Sequence, residues 1–429
     1  MCCKLSSVMA AEGPLKILLH GINYHPEITS TGRYTGEMGR WLAARGHEVR
    51  VVTAPPYYPQ WRVGKGYSGR RYAREELDGA AVWRCPLWVP ERPSGPKRLL
   101  HLSSFAAASA PVVLRQASWR PDVVVMVEPT LLCLPHSWAA ARLADAPLWV
   151  HVQDFEMEAA LGLGILGGAS ARRAFESLER ALYRRADRLS AITEAMRLRA
   201  VEKGVPEERT RLLPNWADLE AVRSMPPDAA VREELGASPE DVLVLYAGNM
   251  GEKQGLELVL EAADRLRGRR RVRFALAGAG AARERLERSA RERGLRNVSF
   301  LGVQPEERLP ALLAAGDVHL VVQRREAADL VMPSKLTNIM AAGRASVATA
   351  DPGTELYRAL RESGGGLVVP PGDAGELAAA IERLADDADL RARLGRNARR
   401  YAEERLDREK ILASFEEELL ALVSGRGLR

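Results

Sequence analysis

The stretch 317–350 constrains the fold more than any other part of the chain. Two short apolar runs, 317–322 and 345–350, have the pattern of buried parallel strands, and a helix with clear ends is predicted between them. Ser334 is a plausible N-cap of that helix, and Gly343 is a plausible residue to follow its end. A strand, a helix and a strand in this order predict a parallel sheet with right-handed crossovers.

The polar face of this predicted helix indicates a ligand. Lys335 and Asn338 lie three residues apart, away from the apolar stripe and close to the positive helix end. Free backbone N–H groups and a cation suit a phosphate, and the amide suits a sugar hydroxyl. We place Met332 and Pro333, which lead into the helix, in the same pocket with Ser334. An ordinary solvated helix face is the alternative interpretation.

A glycine-rich loop follows the strand predicted at 242–247, where the same alternation of strands and helices restarts. Its glycines let the backbone approach a ligand, and the helix start beside Lys253 favours a diphosphate. The Lys precedes the last Gly, so the loop is not that of a P-loop ATPase. Candidate donor-binding residues in this loop and at a later helix start are Gly248, Asn249, Gly251, Lys253, Gly353, Thr354 and Glu355. Gly278-Ala279-Gly280 alone is a weak signal and predicts a tight turn.

The first half of the chain also carries polar residues at the carboxyl ends of its predicted strands and in the loops that follow them. Ligands bind at the carboxyl ends of strands in open α/β sheets, so these residues are candidates for an acceptor site. The candidates are His25, Thr31, Gly32, Glu128, His151 and Asp154. A lone Asp after a strand also serves as a helix N-cap, which is the alternative role for Asp154. The loop after the first strand lacks the G-x-G-x-x-G pattern, so a nicotinamide-type cofactor is not indicated.

Basic residues are concentrated in 58–120, which holds 11 Lys or Arg against 4 Asp or Glu and several aromatic residues. Such a balance suits nucleic acid or an anionic membrane surface, and no nucleic-acid motif is present. The stretch 99–114 carries no charged residue but is too short to span a bilayer. It is predicted either as a membrane-interface helix or as an ordinary covering helix.

A chain of 429 residues predicts two domains, each with its own core. We place the first at 1–220 and the second at 221–404, and we expect a final helix at about 405–429 to pack back on the first. The four cysteines show no C-x-x-C pairing and no metal spacing, which favours a reducing compartment and no metal site. Residues 1–14 lack the apolar core of a signal peptide and are interpreted as a leader, with Met9 as the true start of the protein as the alternative interpretation.

Several motifs resemble glycosyltransferase family 4. They include Gly46-His47-Glu48-Val49, Gln153-Asp154 after a strand, Pro214-Asn215 before the linker, the loop 248–255 and the segment 333–343. The resemblance covers nearly the whole chain, and it is strongest to the bacterial exopolysaccharide and colanic-acid-type enzymes. It implies the GT-B architecture, an α/β fold in which two Rossmann-like parallel-sheet domains face a central cleft.

The sequence departs from the family pattern in its second half. The family's Arg after the turn glycine is Asn249 here, its Lys before the second glycine is Gln254, and its second paired Glu is Asn338. We therefore hypothesise that Lys253 and Lys335 neutralise the diphosphate, aided by helix N-termini.

The resemblance implies a retaining transferase that uses a nucleotide-diphosphate sugar and needs neither metal nor cofactor. Its acceptor would be a polyprenyl-diphosphate-linked saccharide, with His151 and Asp154 facing the transferred sugar or the acceptor. The protein would be cytoplasmic and peripherally associated with the inner face of the cell membrane through 58–120, without binding nucleic acid. Two alternatives stay open: a nucleotide-sugar epimerase of the same fold, and a catalytically inactive sugar-nucleotide-binding scaffold.

Overall fold

The computed structural model describes residues 13–27, 30–91, 94–155, 169–327 and 334–425. Their contacts group them into two units, one running up to Pro214 and resuming at Glu409, the other spanning Asn215–Arg408. The chain passes between units after Pro214 and after Arg408, whereas composition alone placed these changes at about residues 220 and 405.

The first unit is built around a sheet of apolar strands. Its strands, among the described residues, are β1 (Lys16–His20), β2 (Glu48–Thr53), β3 (Ala73–Leu77), β4 (Ala80–Arg84), β5 (Val123–Glu128), β6 (Leu148–Val152), β7 (Arg188–Ala191) and β8 (Thr210–Leu212). They lie in the order β3-β4-β2-β1-β5-β6-β7-β8, and all neighbours are parallel except β3 and β4. Every residue of β5 and β6 is buried, as expected for central parallel strands covered on both faces.

Helices connect these parallel strands. Among the described residues, the helices that lie between strands of the first unit are α1 (Ser30–Ala44), α2 (Gly95–Gln116), α3 (Leu134–Ala144), α4 (Ala169–Tyr183) and α5 (Glu194–Glu202). Helix α1 ends before Gly46, which adopts a positive φ of 97°, and β2 begins two residues later. The predicted βαβ unit at the start of the chain is therefore present, and it leaves the loop after β1 at the carboxyl edge of the sheet.

The second unit contains a six-stranded parallel sheet among the described residues. Its strands are β9 (Val242–Ala247), β10 (Val272–Ala277), β11 (Val298–Leu301), β12 (Val318–Val321), β13 (Ala345–Thr349) and β14 (Gly366–Val369). They lie in the order β11-β10-β9-β12-β13-β14. This is the doubly wound order, in which the direction of winding reverses between β9 and β12. The two-domain Rossmann-like α/β class predicted from the sequence is confirmed.

The helices of the second unit pack on both faces of its sheet. In the described part of this unit they are α6 (Ala229–Glu234), α7 (Glu257–Arg265), α8 (Arg283–Glu292), α9 (Leu309–Ala315), α10 (Ser334–Ala341), α11 (Glu355–Ser363), α12 (Ala374–Asp386) and α13 (Ala388–Arg405). Val244 and Tyr246 of β9 belong to one hydrophobic cluster, and Leu243 and Leu245 belong to another. This alternation is the period of two that a strand covered on both faces requires.

A final helix, α14 (Arg408–Ser424), packs in the first unit. The backbone N–H of Leu15 donates to Nδ1 of His47 at 2.9 Å, so the opposite nitrogen, Nε2, carries the proton that is donated to Glu416 at 2.9 Å. The Phe415 ring meets Trp149 edge-on with centroids 5.0 Å apart. The helix is thus held by a buried polar contact beside an aromatic one. Among the described residues, no helix combines the length and apolarity needed to cross a membrane.

Candidate active site

The carboxyl ends of β9, β10, β12 and β13 share one edge of the second sheet. The loops that leave this edge include Gly248–Gly255 after β9 and Gly278–Ala282 after β10. The winding of the sheet reverses between β9 and β12, and a crevice opens at such a switch point. The described donor-binding candidates in the loops after β9 and β13 and in the helix after β12 therefore lie at one edge of the sheet.

Glycines allow the loops after β9 and β10 to join. A Cβ on Gly278 would overlap the carbonyl oxygen of Gly248, and Gly278 has a positive φ of 146°. Three backbone hydrogen bonds of 2.8–2.9 Å link the loops: Gly248 donates to Ala277, Met250 to Ala279, and Ala282 to Met250. Gly278-Ala279-Gly280 is thus more than a tight turn, because it supports the loop that would contact the ligand.

Lys335 lies beside this joined pair of loops. Its Nζ donates to the Tyr246 hydroxyl at 2.8 Å and sits 4.0 Å from the centre of the Tyr246 ring. A Cβ on Gly248 would approach the same Nζ to 3.2 Å, so the glycine leaves room for the ammonium group. Burial lowers the pKa of Lys335 to about 7, well below the usual value for a lysine.

Tyr246 is a site residue that sequence reasoning missed. It is fully buried at the end of β9, and its hydroxyl donates to the backbone carbonyl of Asn249 at 2.5 Å. Burial raises the pKa of Tyr246, so the phenol keeps its proton. The hydroxyl therefore orders both the Lys335 ammonium and the loop that carries Asn249. Its signal in the sequence is a single polar group within an apolar strand.

Helix α10 begins at Ser334 itself, whereas Ser334 was predicted as the N-cap preceding the helix. Gly343 follows the helix with φ 66°, as predicted, and Leu336, Ile339 and Met340 form its buried stripe. Lys335 and Asn338 are half-buried on the other side. Met332 and Pro333 lie outside the described residues.

The polar side chains of the loop after β9 have different environments. Asn249 and Lys253 are exposed, as a ligand contact requires. Gln254, which replaces the family's lysine, accepts a hydrogen bond from the Gly251 backbone N–H at 3.1 Å and so closes the loop on itself. The Arg324 backbone N–H, after β12, donates to the Lys253 carbonyl at 2.9 Å and ties this loop to its neighbour across the switch point.

Gly353, Thr354 and Glu355 stand at the start of α11, after β13. Thr354 is the N-cap, since its hydroxyl oxygen accepts from the Tyr357 backbone N–H at 3.3 Å. Glu355 forms an ion pair with Arg358 one turn later. These two side chains thus stabilise the helix start, which presents its remaining backbone N–H groups at the sheet edge.

The first unit places two predicted residues in its interior. His151 is 1% exposed, with Nδ1 2.9 Å from Ser190 Oγ and Nε2 2.9 Å from the Gln153 amide nitrogen. Burial lowers its pKa to about 3, so the ring is neutral at physiological pH. Glu128 is also 1% exposed and accepts a hydrogen bond from the Tyr183 hydroxyl at 2.8 Å. The expectation that these side chains face a reactant is corrected: both are internal supports.

The remaining first-unit candidates lie at the carboxyl edge. Asp154 is half-buried after β6, and His25 is half-buried after β1 with its carbonyl oxygen accepting from Arg84 at 2.5 Å. Thr31 is buried in the first turn of α1, where its carbonyl accepts from Thr35. Gly32 has a distinct role, because a Cβ there would lie 2.6 Å from Glu27 Oε2.

Glu27 is the second residue that sequence reasoning missed. It is 3% exposed and accepts hydrogen bonds from the backbone N–H groups of Tyr57 and Tyr58, both at 2.9 Å, and from the Asn23 amide at 2.8 Å. Burial raises its pKa in spite of these donors. The carboxylate thus joins the loop after β1 to the loop after β2.

Comparison with known families divides the chain into the same two halves. Residues 29–216 match the glycosyl transferase 4-like domain, and residues 228–401 match the glycosyl transferases group 1 domain. The chain is 47% identical over 408 residues to WcaI of Escherichia coli (strain K12), named for a colanic acid biosynthesis glycosyl transferase. The match covers 94% of this chain and 98% of WcaI.

Solved structures show the same fold at low sequence identity. Sucrose-phosphate synthase from Thermosynechococcus elongatus superposes with a TM-score of 0.71 at 20% identity, covering 95% of this chain and 99% of that one. HepE from Anabaena, solved in complex with UDP and glucose, superposes with a TM-score of 0.67 at 18% identity, covering 94% and 99%.

Proposed function

We propose a function from the premise that the chain belongs to the glycosyl transferases group 1 family and is a GT-B glycosyltransferase of colanic acid or envelope glycan biosynthesis. In this proposal, it moves a sugar from a nucleotide-diphosphate sugar to a polyprenyl-diphosphate-linked saccharide. One observation carries the donor assignment: the Lys335 ammonium lies over a glycine-built loop at the switch point of the second sheet. HepE, of the same fold, holds UDP and glucose.

The donor diphosphate would lie between Lys335 and the loop after β9. Lys335 supplies one positive charge, exposed Lys253 supplies a second, and the first turn of α10 adds backbone N–H groups. The two lysines take the place of the Arg and Lys that the family pattern would supply. Asn338, half-buried one turn further along α10, is placed to bond a ribose or sugar hydroxyl.

We propose that the transfer retains the anomeric configuration. The bond from the anomeric carbon to the diphosphate oxygen breaks, and the acceptor oxygen bonds to the same face of that carbon. The acceptor hydroxyl passes its proton to the departing phosphate oxygen. The protein then needs no nucleophile, metal or cofactor, and its role is to position both substrates and to stabilise the leaving charge.

The first unit would supply the acceptor side. Asp154 lies at the carboxyl edge beside Gln153, whose amide nitrogen contacts buried His151. We therefore assign His151 the role of a positioning residue and Asp154 that of a contact with the transferred sugar or the acceptor hydroxyl.

We further propose that the protein works at the cytoplasmic face of the membrane. Helix α2 exposes an uncharged face that includes Leu99, Leu100 and Leu114, which are 45%, 56% and 37% exposed. Lys97 and Arg98 precede this face and Arg115 follows it, an arrangement that suits an interface with anionic lipids. The interface-helix interpretation of 99–114 is thus preferred to that of an ordinary covering helix.

Vesicle co-sedimentation tests the membrane contact. Replacing Leu99 and Leu100 with Asp should abolish binding to vesicles that contain anionic phospholipid. Leu143→Asp, at a leucine 71% exposed on α3, is the matched control and should bind like the wild type. Equal binding by all three proteins would refute the α2 interface.

The transfer itself is tested by following nucleoside diphosphate release from uridine, guanosine and thymidine diphosphate sugars. Release that depends on a lipid-linked saccharide, with a new glycosidic product, supports the transferase. Isomerisation of the donor without acceptor would establish the epimerase instead. Donor binding without any turnover across the acceptor series would favour the scaffold.

A further inference from the structure

A groove of about 740 Å³ lies in the first unit, outside the residues assigned so far. Its walls come from the loop after β2 and the segment after β4, and its floor includes Ser104 and Ala108 of α2. Its lining includes three large aromatic side chains, Trp61, Tyr67 and Trp88. A volume of this size falls in the range of small-molecule sites.

Hydrogen bonds build the groove in advance of any ligand. The Leu87 backbone N–H donates to the Gly69 carbonyl at 3.0 Å, which joins its two walls. The Trp88 backbone N–H donates to Ser104 Oγ at 2.9 Å, and the Trp88 carbonyl contacts His101 Nδ1 at 2.6 Å. These contacts attach one wall to α2 through the Trp88 backbone, so replacing the Trp88 side chain should leave that wall in place.

Two exposed arginines line the groove, Arg62 and Arg70. Within the described part of the chain, neither arginine forms an ion pair, although Glu91 also lines the groove. Aromatic walls beside guanidinium groups suit a ligand with an apolar chain and an anionic end.

The groove lies next to both the loop after β1 and helix α2. The Trp61 ring packs on Tyr57 with centroids 5.8 Å apart, and the Tyr57 backbone N–H donates to Glu27. The same Trp61 ring lies 5.4 Å from the His101 ring of α2, and Ser104 and Ala108 line the groove about one and two turns along α2 from Leu100. A molecule with its sugar at the acceptor edge and its tail in a membrane would pass through this groove.

We propose that this groove binds the lipid end of the acceptor, with the first isoprene units against Trp61, Tyr67 and Trp88 and the diphosphate at Arg62 and Arg70. This assignment rests on the proposed transferase function and names the part of the acceptor that the groove recognises. The competing occupants of the groove are a bilayer surface and a saccharide, and each predicts a different effect of Trp88→Ala.

The first test is binding of farnesyl diphosphate to the full chain without nucleotide sugar, measured by titration calorimetry. Farnesyl diphosphate should bind at least tenfold more tightly than inorganic diphosphate, and Trp88→Ala and Arg70→Ala should each weaken it roughly tenfold. Trp119→Ala and Arg184→Ala are matched controls outside the groove. Equal binding of farnesyl and inorganic diphosphate, or binding that Trp88→Ala leaves intact, would overturn the proposal.

The second test compares two acceptors that carry the same saccharide diphosphate on either a farnesyl or a methyl group. Trp88→Ala should raise KM about tenfold for the farnesyl acceptor and leave KM for the methyl acceptor unchanged. Equal increases for both acceptors would identify a saccharide site, and a loss confined to vesicle binding would identify a bilayer contact; either result overturns the proposal. If the wild-type protein transferred sugar to both acceptors while Trp88→Ala gave either of these contrary results, the groove assignment would fail and the transferase function would still hold.

Discussion

The Lys335 ammonium rests 4.0 Å from the centre of the Tyr246 ring and donates to its hydroxyl at 2.8 Å. The two residues come from opposite sides of the switch point, since Tyr246 is the penultimate residue of β9 and Lys335 is the second residue of α10, which follows β12. The contact places a lysine of lowered pKa where a diphosphate would be bound.

Donor binding should take up a proton above neutral pH. Burial lowers the pKa of Lys335 to about 7, so the free site loses its charge as the pH rises past that value, and a bound diphosphate would restore it. At pH 8 we expect an uptake of about one proton per donor bound, falling towards zero at pH 6. Titration calorimetry in two buffers of different ionisation enthalpy measures this number. No buffer dependence at pH 8 would contradict a Lys335 that is neutral in the free site and charged beside the bound diphosphate.

Tyr246→Phe should weaken donor binding about fivefold, because Lys335 and the Asn249 carbonyl each lose a hydrogen-bond partner. The proton uptake curve should also shift, which a purely structural effect would not produce. Tyr357→Phe, a half-buried tyrosine on α11, is the control and should leave the affinity and the curve unchanged. A wild-type curve in Tyr246→Phe would remove the hydroxyl from the donor site.

Gly278→Ala should damage the donor site without touching a ligand. The new Cβ would overlap the Gly248 carbonyl, and a φ of 146° strains any L side chain, so we expect a stability loss of about 1–3 kcal/mol and weaker donor binding. Gly268→Ala, with open space around it, should change neither property. Thermal unfolding and donor titration of both variants provide the measurement; unchanged donor affinity in Gly278→Ala would mean that the two loops act independently.

Glu416→Ala should destabilise the first unit by about 1–3 kcal/mol, because it leaves the buried His47 Nε2–H without its acceptor. Although burial raises the pKa of Glu416, its contacts with Arg45 and His47 bring the pKa below the usual value. The stabilisation is therefore present above the unfolded pKa of about 4.3 and is lost as the pH falls through the lower folded value. Glu417→Ala, at the exposed neighbour, should unfold like the wild type. Urea unfolding at pH 7 compares the three proteins, and equal midpoints would exclude the contact as an anchor.

The strands and the crevice of the second unit could be predicted from the sequence, because continuous apolar runs separated by amphipathic helices allow few arrangements. Gly343 ends α10 as its position predicts, and Lys335 and Asn338 lie on the side away from the buried stripe. The hairpin of β3 and β4 was missed. Its turn, Asp78-Gly79, has both residues at positive φ, which is the pattern of a two-residue hairpin, but the charged strand before it hides the signal.

Site residues proved harder to predict than strands because a sequence pattern locates strand ends without showing where their side chains point. His151 is near the end of β6 and Asp154 follows the same strand, yet His151 is buried between Ser190 and Gln153 while Asp154 lies at the edge. Glu27 gave no signal, because two of its three partners are backbone N–H groups some 30 residues away in the chain. Such contacts depend on how the loops pack, which periodicity does not encode.

The most direct measurement is acceptor-dependent release of nucleoside diphosphate by the wild type, Lys335→Ala and the exposed control Arg393→Ala. Charge-assisted hydrogen bonds contribute about 1.5–3 kcal/mol, so Lys335→Ala should lower kcat/KM by roughly tenfold to a hundredfold, with Arg393→Ala unchanged. Wild-type kcat/KM in folded Lys335→Ala would contradict the assignment of the donor site to this crevice.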